Sequence, residues 1–134
     1  MQEVRQRIFY DVSHNKHGME KTLQTLKELH PGKGIHGLLC LKKGKDVASL
    51  KNLILKNFKT LIVSEDQKRL LLKSSILEEE LSRVNIKCTP VSSLKNGSVI
   101  LESLVKNNSS IGLIFGSHYI AEEVFHAFEI PFDN

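Results

Sequence analysis

The residues best suited to chemistry begin at Asp11, where the sequence Asp-Val-Ser-His-Asn places an acid, a hydroxyl, an imidazole and an amide close together. A carboxylate at the end of a strand can accept hydrogen bonds from both hydroxyls of a ribose, and His14 and Asn15 could reach phosphate oxygens or stack on a base. The alternative is structural, because Asp11 or Ser13 could cap the following helix and leave His14 and Asn15 exposed in a loop. Spacing alone favours this alternative.

Two further segments could bind a small anion. Lys45 stands beside the helix-capping acid Asp46 and could contact a carboxylate or a phosphate, although surface lysines usually contact only water. Gly116-Ser117-His118-Tyr119 forms a small-residue turn before a helix whose free N–H groups could meet an anion. The simpler interpretation of this turn is a strand-to-helix connection in which Ser117 is the N-cap.

Several familiar catalytic motifs do not occur in the sequence. The Gly-x-Ser-x-Gly turn of α/β-hydrolases is absent, so a triad of Ser117, His14 and Asp11 is set aside and no catalytic residue is assigned. The dinucleotide motif Gly-x-Gly-x-x-Gly and the Walker phosphate loop are absent too. Cys40 and Cys88 lack the spacing of a zinc site, so no metal ligand is assigned. A nucleotide bound here would need its main phosphate site elsewhere.

These segments follow short apolar runs that alternate with segments of helical spacing. We predict strands over residues 7–12, 35–41, 60–63, 86–89 and 111–115. We predict helices over residues 19–29, 47–54, 70–81, 98–106 and 120–128, with Asn96-Gly97 as a turn before the fourth. The expected fold is an α/β, three-layer, Rossmann-like domain whose mostly parallel sheet of five or six strands carries helices on both faces. Ligands of such sheets bind outside the carboxyl ends of the strands.

Composition excludes several classes of protein. The chain has 134 residues, which is one domain's worth, and its 40% apolar and 25% charged residues exclude disorder, collagen and coiled coil. The net charge of +4 is scattered along the chain, and two tyrosines and no tryptophan offer little stacking, so nucleic-acid binding is not expected. Because neither a membrane-spanning run nor a secretory signal is found, we expect a soluble cytoplasmic protein with no membrane contact.

Three motifs together resemble one known family. Residues 11–18, DVSHNKHG, are followed by a leucine-spaced helix and resemble the Asp-x-Ala-His-Asn-Pro-x-Gly segment that opens the C-terminal domain of folylpolyglutamate synthase/dihydrofolate synthase, in the Mur ligase superfamily. Gly44-Lys45-Asp46 falls where that family has Asp-Lys-Asp, and residues 116–124, GSHYIAEEV, are similar to its closing Gly-Ser-x-Tyr-Leu-Ala-Gly-Glu-Val. The motifs occur in the family's order and span nearly the whole chain.

The resemblance implies a domain and a reaction. Residues 1–134 would form a Mur ligase C-terminal-like domain, without the family's N-terminal ATPase and folate domain. In the whole enzyme ATP phosphorylates a carboxylate of folate or dihydropteroate, and the amine of glutamate attacks the acyl phosphate to form an amide. ATP and Mg²⁺ are then the cofactors, with Mg²⁺ bound mainly by the N-terminal domain. Glutamate, folate or dihydropteroate and that domain are the partners.

The resemblance also implies residue roles. Asp11 would bind the ribose of ATP, His14 would contact the nucleotide, and Asn15 would shape the same loop. The substrate cleft near the amino acid would be lined by Lys45, Asp46, Ser117 and Tyr119.

The sequence also departs from the family's pattern. Ser13 and Lys16 replace an alanine and a proline, Gly44 removes an acid, and Glu122 replaces a glycine. We expect the chain to be part of a longer ligase and to be inactive alone. One alternative is a non-catalytic module that binds a nucleotide or a small anion. A response-regulator-like domain is less well supported, because Asp11 lacks an adjacent acid.

Overall fold

The computed structural model describes residues 1–131 and contains one six-stranded sheet. The strands are β1 (Gln2–Arg5), β2 (Ile8–Tyr10), β3 (Ile35–Leu39), β4 (Thr60–Ser64), β5 (Thr89–Val91) and β6 (Ile111–Phe115). Their order in the sheet is β1-β2-β6-β3-β4-β5. All neighbouring pairs are parallel except β1 and β2, which are antiparallel. The last strand in the sequence therefore lies between the second and the third.

Helices cover both faces of the sheet. They are α1 (Lys16–Leu29), α2 (Lys51–Asn57), α3 (Ser74–Arg83), α4 (Leu94–Asn108) and α5 (Ala121–Ala127), and a 3₁₀ helix (Val47–Leu50) precedes α2. Buried leucines of α1, α2 and α3 belong to one apolar core, while buried residues of α4 and α5 belong to a second core. Strand residues alternate between the two cores, as Leu38 and Leu39 of β3 do. The three-layer α/β fold expected from the sequence is confirmed.

Two elements differ from the prediction because their sequences lack a strong apolar pattern. The prediction omitted β1, an edge strand in which only Val4 is buried. The short β5 was placed at residues 86–89 but occupies Thr89–Val91, where Pro90 stands on the other edge of the sheet. Pro90 has no backbone N–H to donate to a further strand, and prolines are therefore tolerated mainly in edge strands.

The starts of α3 and α4 also differ from the prediction. The helix predicted over 70–81 begins only at Ser74, because Leu71 instead forms an antiparallel bridge with Lys42. Asn96-Gly97 was predicted as a turn but lies within α4, whose N-cap Ser93 accepts a hydrogen bond from the Asn96 N–H at 3.1 Å. Gly97 packs against β3, since a Cβ there would lie 3.0 Å from Cδ1 of Leu38. Close packing, and not a turn, accounts for this glycine.

Within residues 1–131, no helix combines the length and the apolar character that a membrane span requires.

Candidate anion-binding site

The loops after β2, β3 and β6 meet at the carboxyl edge of the sheet and enclose a cavity of about 190 Å³. We call it the basic cavity. Its lining residues are His14, Lys42, Lys45, Gly116, Ser117, His118 and Tyr119. It therefore contains two lysines and two imidazoles, and no carboxylate of residues 1–131 lines it. Such a lining favours an anion.

The turn after β6 requires a glycine at its first position. Gly116 has φ +108°, a conformation that L-residues rarely adopt. A Cβ at this position would overlap the carbonyl oxygen of Cys40 and approach Cδ1 of Leu39 to 2.7 Å. The adjoining register is fixed by the Cys40 N–H, which donates to the Phe115 carbonyl at 3.1 Å. The chain leaves β6 in contact with the end of β3, which brings the two loops of the cavity together.

Two hydrogen bonds hold Ser117 at the cavity wall. The Tyr10 hydroxyl donates to the Ser117 carbonyl at 2.7 Å, and the Ser117 Oγ accepts from the Tyr119 N–H at 3.0 Å. Burial raises the pKa of Tyr10, and the nearby Cys40 and Asp11 raise it further, so the phenol stays a donor at physiological pH. Ser117 thus caps its own turn, while the N-cap position of α5 falls to Ile120.

Aromatic rings form a continuous row along the cavity. The ring centroids of His14 and His118 lie 5.4 Å apart, and those of His118 and Tyr119 lie 4.2 Å apart. The Lys42 ammonium group lies 5.6 Å from the Tyr119 ring centroid, within cation–π range. This row links the loop after β2 to the loop after β6 and leaves Lys42 at its end.

Asp11 is buried at the beginning of the loop after β2. Its Oδ2 accepts hydrogen bonds from the Thr22 hydroxyl at 2.7 Å and from the Ser13 N–H at 3.3 Å. Its Oδ1 lies 3.4 Å from the Met1 ammonium group. Burial opposes ionisation of Asp11, but the hydrogen bonds from Ser13 and Thr22, helped by the ammonium charge, outweigh it and lower the pKa of Asp11 below its usual value. Asp11 is therefore ionised, and its hydrogen bonds hold the carboxylate in place.

Residues 65–73, which we call the Asp66 loop, connect β4 to α3 and lie beside the cavity. The buried Asp66 carboxylate accepts hydrogen bonds from the Leu70 N–H at 2.9 Å and the Leu71 N–H at 3.1 Å. Leu71 pairs with Lys42, and the Leu72 N–H donates to the Leu41 carbonyl at 2.8 Å. The Asp66 loop is therefore attached to the segment that carries Lys42.

The same loop also contacts α5. The Gln67 N–H donates to the Glu123 carboxylate at 2.7 Å. Burial raises the pKa of Glu123, and the hydrogen bond from Gln67 opposes this rise. Gln67, Glu123 and Tyr119 belong to the lining of a second cavity of about 280 Å³. Tyr119 is thus the wall shared by the two cavities.

The fold is shared with folylpolyglutamate synthases of known structure. The Mycobacterium tuberculosis enzyme, in complexes with ADP and AMPPCP, matches with a TM-score of 0.85 at 20% identity, over 98% of this chain and 32% of that chain. The bifunctional folylpolyglutamate synthase/dihydrofolate synthase of Yersinia pestis, complexed with AMPPNP and Mn ion, matches at 0.73 and 15% identity, over 92% of this chain and 28% of that chain.

The match is limited to one part of these enzymes. The chain spans about a third of the length of the enzymes it resembles, which is consistent with a single domain of a folylpolyglutamate synthase. No protein-family model matches the sequence, and no curated protein matches it either. At these identities the comparison establishes the three-layer fold alone.

The structure brings together four of the seven predicted site residues. His14, Lys45, Ser117 and Tyr119 line the basic cavity. Asn15 does not line it and instead caps α1, because its Oδ1 accepts from the Gly18 N–H at 2.8 Å.

Asp11 and Asp46 also lie outside the lining of the basic cavity. Asp11 is buried at the start of the His14 loop. Asp46 lines a separate depression together with Glu80 and Arg83. It occupies the N-cap position of the 3₁₀ helix, where its side chain makes no capping hydrogen bond. Its place in the substrate cleft stays a prediction.

Besides Gly116, which offers no side chain, sequence reasoning missed two lining residues, Lys42 and His118. Both lie in loops that follow a predicted strand, so the strand-end rule contained the signal. Lys42 stands among other lysines, and His118 occupies a variable position of the resembling motif, so neither was singled out. Among residues 1–131 there is no group of three or more histidine, cysteine or acidic side chains placed to hold a metal ion.

Proposed function

We propose that this chain is the C-terminal domain of a cytoplasmic, ATP-dependent ligase that joins L-glutamate to dihydropteroate or folate through an acyl phosphate. The observation that carries the proposal is the basic cavity, in which Lys42, Lys45, His14 and His118 converge at the carboxyl ends of parallel strands. The shared fold with folylpolyglutamate synthases and the order of the three sequence motifs support the same conclusion.

The size of the cavity favours part of a ligand over a whole nucleotide. Its volume of about 190 Å³ is below the 300 to 1,000 Å³ common for sites that enclose a drug-sized ligand. One phosphate group or one dicarboxylate amino acid is the scale that fits. We infer that the cavity takes the anionic end of a substrate and that the rest of the ligand contacts a second domain.

Asp11 would supply the nucleotide part of the site. Both of its hydrogen bonds within residues 1–131 end on Oδ2, whereas Oδ1 faces the Met1 ammonium group at 3.4 Å; a ribose hydroxyl would bind Oδ1 in place of that contact. Its lowered pKa keeps the group an acceptor at physiological pH. His14, three residues along the same loop, faces the basic cavity and would contact the nucleotide there.

The chemistry of acyl transfer needs such a lining. ATP would supply the phosphoryl group that activates the carboxylate. The loop that binds the phosphates of ATP, and the ligands of Mg²⁺, would belong to the N-terminal domain. Negative charge accumulates on the transferred phosphoryl group and on the tetrahedral intermediate. Lys42 and Lys45 would offset this charge, and the Ser117 turn would orient the anionic group. Closure of the two domains would exclude water from the acyl phosphate.

A titration of the 134-residue chain followed by backbone-amide NMR tests the proposal. Mg-ATP, L-glutamate and inorganic phosphate are added separately to the native chain and to Asp11→Asn, Lys45→Met and Asp46→Asn. We expect Mg-ATP to shift amides of residues 11–18, and glutamate or phosphate to shift those of residues 116–119. Asp11→Asn removes the first response and Lys45→Met weakens the second. Asp46→Asn is the matched control for the Mg-ATP response alone, since it also removes a loop carboxylate but has no predicted contact with the nucleotide and lines another depression.

Three outcomes separate the possible functions. Responses that are the same in the native chain and in Asp11→Asn and Lys45→Met would contradict the site assignment. Amide formation by the 134-residue chain alone would contradict its role as one domain of a longer ligase. Tight binding of ATP, without ligation when the N-terminal domain of a folylpolyglutamate synthase is added, would favour the non-catalytic binding module.

A further inference from the structure

The structure assigns to Asp66 the role of a positioning residue that holds Lys42 against Tyr119 at the rim of the basic cavity. This inference rests on the proposed function, because it concerns how the same cavity is kept ready for its anion. Asp66 contacts neither Lys42 nor the cavity directly. It acts through the Asp66 loop, whose backbone reaches both sides of the Lys42–Tyr119 contact.

The first connection runs from Asp66 to Lys42. Each carboxylate oxygen of Asp66 accepts one backbone N–H, from Leu70 at 2.9 Å and from Leu71 at 3.1 Å. These bonds place Leu71 where it pairs with Lys42, and the Leu72 N–H bonds the Leu41 carbonyl at 2.8 Å. Lys42 follows β3 in an exposed segment, so this bridge supplies the partner that fixes its backbone.

The second connection runs from the same loop to Tyr119. Gln67, directly after Asp66, donates its N–H to Glu123 of α5 at 2.7 Å. The turn that carries Tyr119 leads directly into α5. A buried carboxylate that fixes the loop therefore fixes the relative position of Lys42 and Tyr119. Tyr119 itself is 47% exposed, so packing alone does not hold it in place.

Glu65 provides a matched control in the neighbouring position. Its Oε1 also accepts two hydrogen bonds, from the Ser74 N–H at 3.1 Å and the Ser74 hydroxyl at 3.0 Å. Those bonds hold the start of α3 and do not reach Lys42. Glu65→Gln and Asp66→Asn therefore make the same chemical change in adjacent residues of one loop. Only Asp66→Asn is expected to disturb the cavity.

The direct test measures the Lys42–Tyr119 contact by NMR, in the chain without ligand. The Tyr119 ring shifts the NMR signals of the Lys42 ε-methylene protons upfield, and Tyr119→Leu gives the reference without the ring. We expect Asp66→Asn to move these signals most of the way to that reference, and Glu65→Gln to leave them unchanged even where it lowers the melting temperature. Unchanged Lys42 signals in folded Asp66→Asn would overturn the assignment.

The second test measures inorganic phosphate binding. Lys42→Met should raise the dissociation constant about fivefold, the scale of one exposed charge contact. Asp66→Asn should approach this value, and the double variant should bind no more weakly than Lys42→Met, because both act on one contact. Strictly additive losses would overturn the assignment. If Lys42→Met binds phosphate as the native chain does, the proposed anion site fails while the contact measurement still decides the role of Asp66.

The native chain provides a measurement that needs no variant. Coupling between two sites is reciprocal, so an anion that binds Lys42 must also stabilise the Asp66 loop. We expect phosphate to slow hydrogen exchange of the Leu71 and Leu72 amides relative to the Ser74 amide, which Glu65 holds. Equal effects on all of these amides would contradict the coupling.

Discussion

Gly116→Ala should destabilise the domain far more than the same change at Gly44. Both glycines have positive φ, +108° at Gly116 and +86° at Gly44. An added Cβ at Gly44 meets nothing within 4 Å, whereas at Gly116 it overlaps the Cys40 carbonyl oxygen. The two variants therefore share the conformational strain, and only Gly116→Ala adds a steric conflict with backbone.

The expected magnitudes follow from these two contributions. Left-handed backbone costs an alanine about 1 to 2 kcal/mol, which is the whole effect expected for Gly44→Ala. Overpacking adds about 1 to 3 kcal/mol, so Gly116→Ala should lower the free energy of unfolding by about 2 to 5 kcal/mol. Small domains have about 5 to 15 kcal/mol of stability in all, so this variant approaches the limit of folding.

Urea denaturation followed by far-UV circular dichroism measures both free energies of unfolding. Gly32→Ala is a further control, because Gly32 has φ +78° and open space around its Cβ position. The contact between the ends of β3 and β6 would not be tight if Gly116→Ala cost no more than the two controls. In that case the close approach of Gly116 to Cys40 would not be what holds the two loops of the cavity together.

Three further predictions concern buried polar groups, each measured by urea denaturation. Thr22→Val removes the hydroxyl that donates to Asp11 and should cost about 1 to 3 kcal/mol at pH 7. Folding lowers the pKa of Asp11, so the ionised carboxylate stabilises the fold above the unfolded pKa, and this contribution is lost as the pH falls. The free energy of unfolding should therefore fall less between pH 7 and pH 3 in Thr22→Val than in the native chain. Tyr10→Phe leaves the Ser117 carbonyl without its donor and should cost about 1 to 3 kcal/mol, and an unchanged midpoint would contradict that bond. The pKa of His36 is lowered by burial and by Lys59, so the unfolded chain binds the extra proton; stability should fall below about pH 6.5 by at most about 1.4 kcal/mol per pH unit, with a smaller slope in His36→Leu. An equal slope in the variant would rule out His36 as the cause.

Much of the fold could be predicted because the buried strands carry their signal locally. The runs at β3, β4 and β6 are apolar on both faces, and a parallel sheet with helices on either side follows from them. The edge strands carry no such signal. In β1 only Val4 is buried, so its own residues give no strand pattern, and the strand forms by antiparallel pairing with the adjacent β2.

The site residues could be predicted only as far as the ends of the strands could be located in the sequence. His14, Lys45, Ser117 and Tyr119 meet because the strands before them are neighbours in one parallel sheet. Which residues of a loop turn inward depends on long-range contacts instead. Lys42 is fixed by Leu71, and this pairing depends on a buried carboxylate elsewhere in the chain.

The central place of β6 in the sheet has a consequence for synthesis on the ribosome. A nascent chain that has emerged only as far as α4 contains β2 and β3, but each lacks the strand that lies between them. Until residues 111–115 are available, both strands present unpaired edges, which are sites of aggregation. Completion then requires β6 to insert between strands from the beginning of the chain, and such non-local pairing is slow. The domain can therefore complete its sheet only after residues 111–115 have left the ribosome.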